Sequence, residues 1–212
     1  SHLDLKIMTK TTTKKSKTST TKATTTRKKS TPKPIEKLPN NPFAFEVLDL
    51  VSRQRTKSKK VEVLKTYGDV SLKIILIWNF DESVVSILPP GQVPYVGYDD
   101  QNTYAGTLST KLTHEVRTMH EKGDFSLGVS DQQGHTTIRR EAKHFYRFCK
   151  GGNDALNAIR RETMFINILE GLHPLEAEIV TACKDKRLGE IYKVTKEVVA
   201  EAYPDIKWGN RS

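Results

Sequence analysis

Between Thr9 and Thr31, fourteen of twenty-three residues are Ser or Thr, eight are Lys or Arg, and Ala23 is the only apolar side chain. Such a stretch has too little apolar surface to offset roughly 1–2 kcal/mol of backbone entropy per residue, which predicts disorder. Pro32, Pro34, Pro39 and Pro42 then predict an extended linker ahead of the first apolar cluster. Any packed fold must therefore come from residues 42–212. Met8-Thr9-Lys10 reads as a natural start, so Ser1–Ile7 are set aside from fold reasoning. The tail lacks the continuous apolar core of a secretory signal, and its Lys dominance departs from the Arg-rich amphipathic pattern of a transit peptide.

Charge follows the same division. The chain carries 35 Lys and Arg against 25 Asp and Glu, a net of +10. Residues 1–41 hold eleven basic and two acidic side chains, which leaves 24 against 23 for residues 42–212. The body is nearly neutral, which excludes a uniformly basic globular nucleic-acid binder. Two cysteines supply neither a disulfide framework nor a four-cysteine zinc site. No apolar run approaches the ~18–20 residues of a membrane-spanning helix, so no membrane partner is expected. In the tail, Lys14, Lys15, Arg27, Lys28 and Lys29 are the candidates for contacting phosphates, which adds affinity without sequence choice. The alternative is a solubilising entropic tail without a fixed partner; the tail has no aromatic residue on which a base could stack.

The body reads as helices. Asn41-Pro42 predicts a cap and first helical position, followed by Phe43, Val47, Leu48 and Val51 at helical spacing. Val61, Leu64 and Tyr67 predict a second helix stopping at Gly68. Asp69 caps a third, apolar over most of its circumference through Leu72, Ile74, Ile75, Leu76, Ile77, Trp78 and Phe80, which belongs inside. Leu88-Pro89-Pro90-Gly91 ends that unit. Residues 92–134 predict an irregular stretch, with an amphipathic helix over 108–120 and a weak hairpin over 123–129. Thr136 or Thr137 caps a helix reaching Lys150, stopped by Gly151-Gly152. Asp154 starts the next, running to Gly171; Pro174 begins another; and Thr195 caps the last, which ends at Pro204. The expected class is all-α: a compact bundle of about six to eight short helices, with a disordered basic N-terminal tail and a long irregular mid-chain insertion. The divisions are tail and linker over 1–41, helical parts over 42–91 and 135–208, and the insertion over 92–134, with 42–208 one domain.

Two basic constellations stand out in the body. On an α-helical wheel of residues 138–150, Ile138, Ala142, Phe145 and Cys149 define a core face, with Arg139, Arg140, Lys143, Arg147 and Lys150 opposite. Like charges at this spacing destabilise a helix mildly, and a bound anion relieves them. The alternatives are a solvated face, or acids brought from elsewhere in the chain. The second patch is Arg53, Arg55, Lys57, Lys59 and Lys60, at the link between the first two predicted helices. Both are candidate surfaces for nucleic acid or an acidic partner. Arg160-Arg161-Glu162 sits on a mostly apolar helix and predicts an intramolecular ion pair, since a buried charge must be paired.

No enzyme signature survives inspection. His114-Glu115 and His120 place the second His about 240° around a helix from the first, where both cannot face one metal. There is no phosphate-binding Gly-rich loop ending in Lys-Ser/Thr and no Gly-x-Ser-x-Gly elbow. Cys149 and Cys183 fall on predicted core faces and read as small buried apolar groups. Asp81-Glu82 and Asp99-Asp100 are adjacent carboxylates of the kind that holds Mg²⁺, but in loops such pairs are usually solvated. No catalytic residue, metal or cofactor is assigned.

Several segments carry a resemblance when taken in order. Leu64-Lys65-Thr66-Tyr67, Leu72-Lys73-Ile74-Ile75 and Asn79-Phe80-Asp81 lead into Leu88-Pro89-Pro90-Gly91 and Pro94-Tyr95. Glu141-Ala142, Phe145-Tyr146, Asn157 to Thr163, Leu169-Glu170-Gly171-Leu172-His173-Pro174 and Glu201-Ala202-Tyr203-Pro204 follow. This order resembles a small, functionally unassigned family of T4-like tailed phages, especially those of marine cyanobacteria, over residues 43–95 and 135–208. The resemblance implies a phage protein made in a bacterial host cytoplasm, and it carries no site residues with it. The expectation is a non-catalytic accessory protein whose helical module and basic tail contact DNA or RNA non-specifically and salt-sensitively. The alternatives are a virion or assembly component, or a host-takeover factor that binds a bacterial protein.

Overall fold

The computed structural model describes residues 34–95, 106–107 and 136–212. Among them are seven α-helices: α1 (Ala44–Arg53), α2 (Lys57–Tyr67), α3 (Val70–Phe80), α4 (Ile138–Glu141), α5 (Ala158–Gly171), α6 (Pro174–Lys184) and α7 (Lys196–Ala202). Two 3-10 helices join them, Ala142–Phe148 and Leu188–Glu190, and two-residue strands β1 (Pro94–Tyr95) and β2 (Gly106–Thr107) pair antiparallel. The all-α expectation holds. The tail, the 108–120 helix and the 123–129 hairpin lie outside the described residues. The packed unit begins at Ile35, upstream of Pro42, because Leu38 is buried and Ile35 packs beside it. Isolated apolar residues among prolines carry no periodicity that marks them as core.

Four of the helix starts carry Thr or Asp side-chain caps, and those at Asp69, Thr137 and Thr195 are the expected ones. Thr56 accepts the Lys59 N–H, Asp69 that of Leu72, Thr137 that of Arg140 and Thr195 that of Val198. The start of α1 differs. Asn41 adopts a left-handed φ of 52° and does not cap; the helix begins after Phe43. Its free N–H groups are taken by acids: Glu46 accepts from Phe43 at 3.4 Å and Glu176 from Ala44 at 3.3 Å. The other carboxylate oxygen of Glu176 accepts the Ile138 N–H at 3.1 Å, so one buried acid on α6 caps α1 and α4 together. Beside it, His173 caps α6 by accepting the Leu175 N–H on Nδ1, and its ring packs against Phe43 and Phe45.

The helix read as interior is central. No residue from Ser71 to Phe80 on α3 is exposed, and α3 packs against α4, the first 3-10 helix and α6. At its C-terminal end Lys186, itself at φ 57°, donates to the carbonyls of Trp78 and Asp81. Trp78, Phe145, Phe148 and Phe165 form a continuous aromatic cluster with centroid separations of 5.1–6.4 Å. Lys184 is buried and donates to the carbonyls of Pro89 and Gly91 and to Asp185, which fixes the Pro-Pro-Gly turn.

α5 departs from expectation. It begins after the Asn157 cap, and Asp154 instead closes a turn by accepting the Gly151 N–H. It lies at the surface, with Ile159 76% exposed and only Arg161, Phe165 and Leu169 buried. Arg161 forms no ion pair among the described residues: its guanidinium donates to the carbonyls of Arg147, Asn153 and Leu156. Backbone acceptors satisfy the buried cation in place of a carboxylate, a choice that residue type does not reveal.

At the end of α2, Tyr203 donates its hydroxyl to Leu64 O at 2.6 Å, where a Cβ on Gly68 would overlap Tyr Oη. Gly68→Ala is expected to destabilise the protein by about 1–3 kcal/mol in urea unfolding, and to remain destabilising in a Tyr203→Phe background, because the added Cβ still meets the Leu64 carbonyl oxygen and the ring carbon of residue 203.

Two neighbouring buried groups give opposite pH dependences. Burial pushes the Glu176 carboxyl up to about 7 against the backbone N–H groups of Ile138 and Ala44 and the charge of Arg139. Burial pushes His173 down to about 4. The Glu176 contribution is present below its unfolded value of 4.5 and is lost as pH rises through about 7. The His173 contribution is present above 6.5 and is lost as pH falls through about 4. Denaturant midpoints of Glu176→Gln should therefore rise with pH more steeply than wild type between pH 4.5 and 6.5. Those of His173→Asn should fall with pH relative to wild type over the same window.

Candidate functional site

The predicted helix over 137–150 is α-helical only as far as Glu141; Ala142–Phe148 is a 3-10 helix. The segment's last carbonyls are drawn outward: Arg147 O accepts from Arg161, and Phe148 O from the Ile87 N–H of an extended stretch that also bridges Ser86 to Cys149. With about three residues per turn, Ala142, Phe145 and Phe148 stack on the buried side and Cys149 is only half-buried. The five-cation stripe consequently does not share one arc. Lys143 lines up with Tyr146, and His144 with Arg147.

The cations also differ in their partners. Arg139 pairs with Asp69 and donates to Pro42 O at 3.2 Å, so it is neutralised from within. Arg147 donates to the Tyr146 hydroxyl at 3.3 Å and lies over its ring, 5.5 Å from the centroid. Arg140, Lys143 and Lys150 are exposed, with no carboxylate partner among the described residues.

The second patch is not a loop. The link is only Gln54–Thr56; Arg53 ends α1, and Lys57, Lys59 and Lys60 occupy the first turn of α2. That turn holds no acid, and its N–H groups are already electropositive. Arg53 contacts Glu36 at 2.7 Å and Asp49 at 3.0 Å, and the hydrogen bond to Glu36 is the main reason its pKa is raised. Lys57 meets Glu201 at 3.1 Å. Lys60 donates to the carbonyls of Val51 and Lys193, and burial lowers its pKa. Exposed pairs of this kind are worth about 0–1 kcal/mol each. Arg55 and Lys59 have no carboxylate partner among the described residues. The tail candidates Lys14, Lys15, Arg27, Lys28 and Lys29 lie outside them.

Folding creates a feature that the sequence does not display. A groove of about 330 Å³ opens between α3 and the first 3-10 helix, with Ile74, Ile77 and Phe145 among its apolar residues and Lys143 and Lys150 along it. Arg211, 61 positions beyond Lys150 in the chain, borders the same groove. Its position is set by buried Asp81, which accepts from Arg211 Nε at 2.9 Å, from the Gly209 N–H and from both Ser83 donors. Burial alone would raise the Asp81 pKa; these hydrogen bonds outweigh it and hold the carboxyl below its usual range. Asp81 is therefore a clamp on the C-terminal residues rather than an open Mg²⁺ ligand. Among the described residues no group of three or more His, Cys, Asp or Glu side chains is placed to hold a metal ion, and no helix is long and apolar enough to cross a membrane.

The thiols are poorly disposed to act as nucleophiles. Burial pushes Cys149 up to about 11 and raises the fully buried Cys183 as well, while Lys186 opposes it only weakly. A disulfide reagent at pH 7 should label both slowly in the native protein, Cys149 first, and both promptly in denaturant. Prompt native labelling would contradict this placement.

No curated protein and no solved structure matches the chain. A family model matches residues 47–132 and 127–190, so the whole 92–134 stretch that reads as an insertion is itself covered by it. With more than half its length matched, the chain belongs to a family of unknown function (DUF6433).

Proposed function

We infer that the chain is a non-catalytic accessory protein of a tailed phage, acting in the bacterial host cell, whose helical body and Lys/Thr-rich tail contact nucleic acid or a nucleoprotein assembly without sequence choice. The observation that carries this reading is that the candidate cations Arg55, Lys59, Arg140, Lys143 and Lys150 have no carboxylate partner among the described residues. They project from a body whose counted charge is nearly balanced, while neighbouring cations are matched by Asp69, Glu36 and Glu201. The tail adds phosphate contacts of its own. The phage setting is supported by the ordered segments from Leu64-Lys65-Thr66-Tyr67 to Glu201-Ala202-Tyr203-Pro204. The non-catalytic reading is supported by the commitments of the reactive groups: His173 and Glu176 to helix caps, Asp81 to the C-terminal clamp, and Cys183 to the interior, with the half-buried Cys149 thiol held protonated by its burial.

The test is a mobility-shift titration of the full chain and of residues 35–212 against DNA and RNA at about 50 mM salt. The full chain should bind both, with removal of the tail weakening binding at least tenfold and flattening the salt dependence. If neither protein shifts either nucleic acid, the reading is wrong.

A further inference from the structure

Among the described residues, Tyr146 is the one strongly exposed aromatic side chain, at 49%. The three-residue period that sends Phe145 and Phe148 inward turns Tyr146 out, aligned with Lys143. Its ring borders the groove along with Lys143, Lys150 and Arg211, and Arg147 packs against it. Among the described residues, no Asp or Glu side chain lines this groove. An exposed ring, an apolar hollow and cations around them are therefore brought together by three separate segments.

These features select among anionic polymers. A duplex presents phosphates but keeps its base faces stacked inside, so it leaves both ring and hollow unused. An acidic peptide supplies negative charge without an obligatory flat π face. A single strand offers phosphates and unstacked bases together, and base-on-aromatic stacking beside a basic groove is how such strands are held without sequence preference.

We propose that the groove between α3 and the 3-10 helix binds single-stranded nucleic acid, with one base stacked on Tyr146 and neighbouring phosphates at Lys143 and Lys150, the Asp81-paired Arg211 bordering the same groove. The proposal rests on the reading of nucleic acid as the partner and adds the strandedness and the residues that determine it. Tyr146 touches the ligand directly. Arg147 is a positioning residue that braces the ring from its own side chain.

The experiment is fluorescence anisotropy with the full chain at low salt, using a labelled strand of about 16 nucleotides and the same strand in duplex. The readout is the ratio of the two affinities, since the tail contributes to both. Wild type should favour the single strand. Tyr146→Ala should lower single-strand affinity about 5- to 100-fold with little change for duplex, and Tyr146→Phe should retain the preference. Lys143→Glu with Lys150→Glu should weaken single-strand binding and steepen its dependence on the remaining tail. Melting curves confirm that each variant is folded. An unchanged ratio in Tyr146→Ala overturns the proposal while leaving nucleic-acid binding standing. Displacement of the strand by poly-glutamate at lower charge concentration than by unlabelled strand also overturns it. If wild type binds neither form, the broader reading falls and takes this one with it.

Discussion

The carboxylate of Glu176 joins helices that are far apart in the chain. It receives the first N–H of α1 on one oxygen and that of α4 on the other, from within the first turn of α6. Every helix start leaves N–H groups without intrahelical partners, and burying one unsatisfied costs roughly 1–3 kcal/mol. Using a single buried acid for two starts fixes where both helices begin and brings them to the same point on α6. Arg139 and Asp69 pair alongside, and His173 with Phe43 and Phe45 fills the space beneath. Alter that point and the seating of α3 between α4 and α6 is altered as well.

The legible parts of the sequence were those governed by local rules. Asp69, Thr137 and Thr195 each announce a helix start by residue type alone, and the near-continuous apolar run from Leu72 to Phe80 marks an interior helix. What escaped were choices made by distant partners. Asn41 looks like a cap, yet Glu46 and Glu176 take that role and leave Asn41 in a left-handed turn. The 137–150 segment has acceptable α periodicity, but Arg161 and the extended stretch at Ile87 draw off its terminal carbonyls and tighten the period to three. That change converts a five-cation stripe into separate groups and moves Tyr146 to a groove. Arg211 was illegible as a site residue because only the Asp81 clamp brings it there.

The charge pattern gains meaning from the same distinction. Arg53, Lys57 and Arg139 are matched by acids or, like Lys60, by carbonyls, and they hold segments together. Arg55, Lys59, Arg140, Lys143 and Lys150 hold nothing among the described residues. A net count cannot separate these two populations. A structure does, and the second group is the one with its electrostatic capacity unspent.

The reach of the Glu176 cap also sets an order of events during synthesis. Glu176 lies 132 positions after Ala44, and Tyr203 lies 139 after the Leu64 carbonyl it closes. At roughly 5–20 residues per second, the first two helices wait on the order of 7 to 26 s for those partners to leave the ribosome. Through that interval the apolar sides of α1 and α2 have only each other. A helical protein of this topology therefore folds with the non-local timing more usual of sheets.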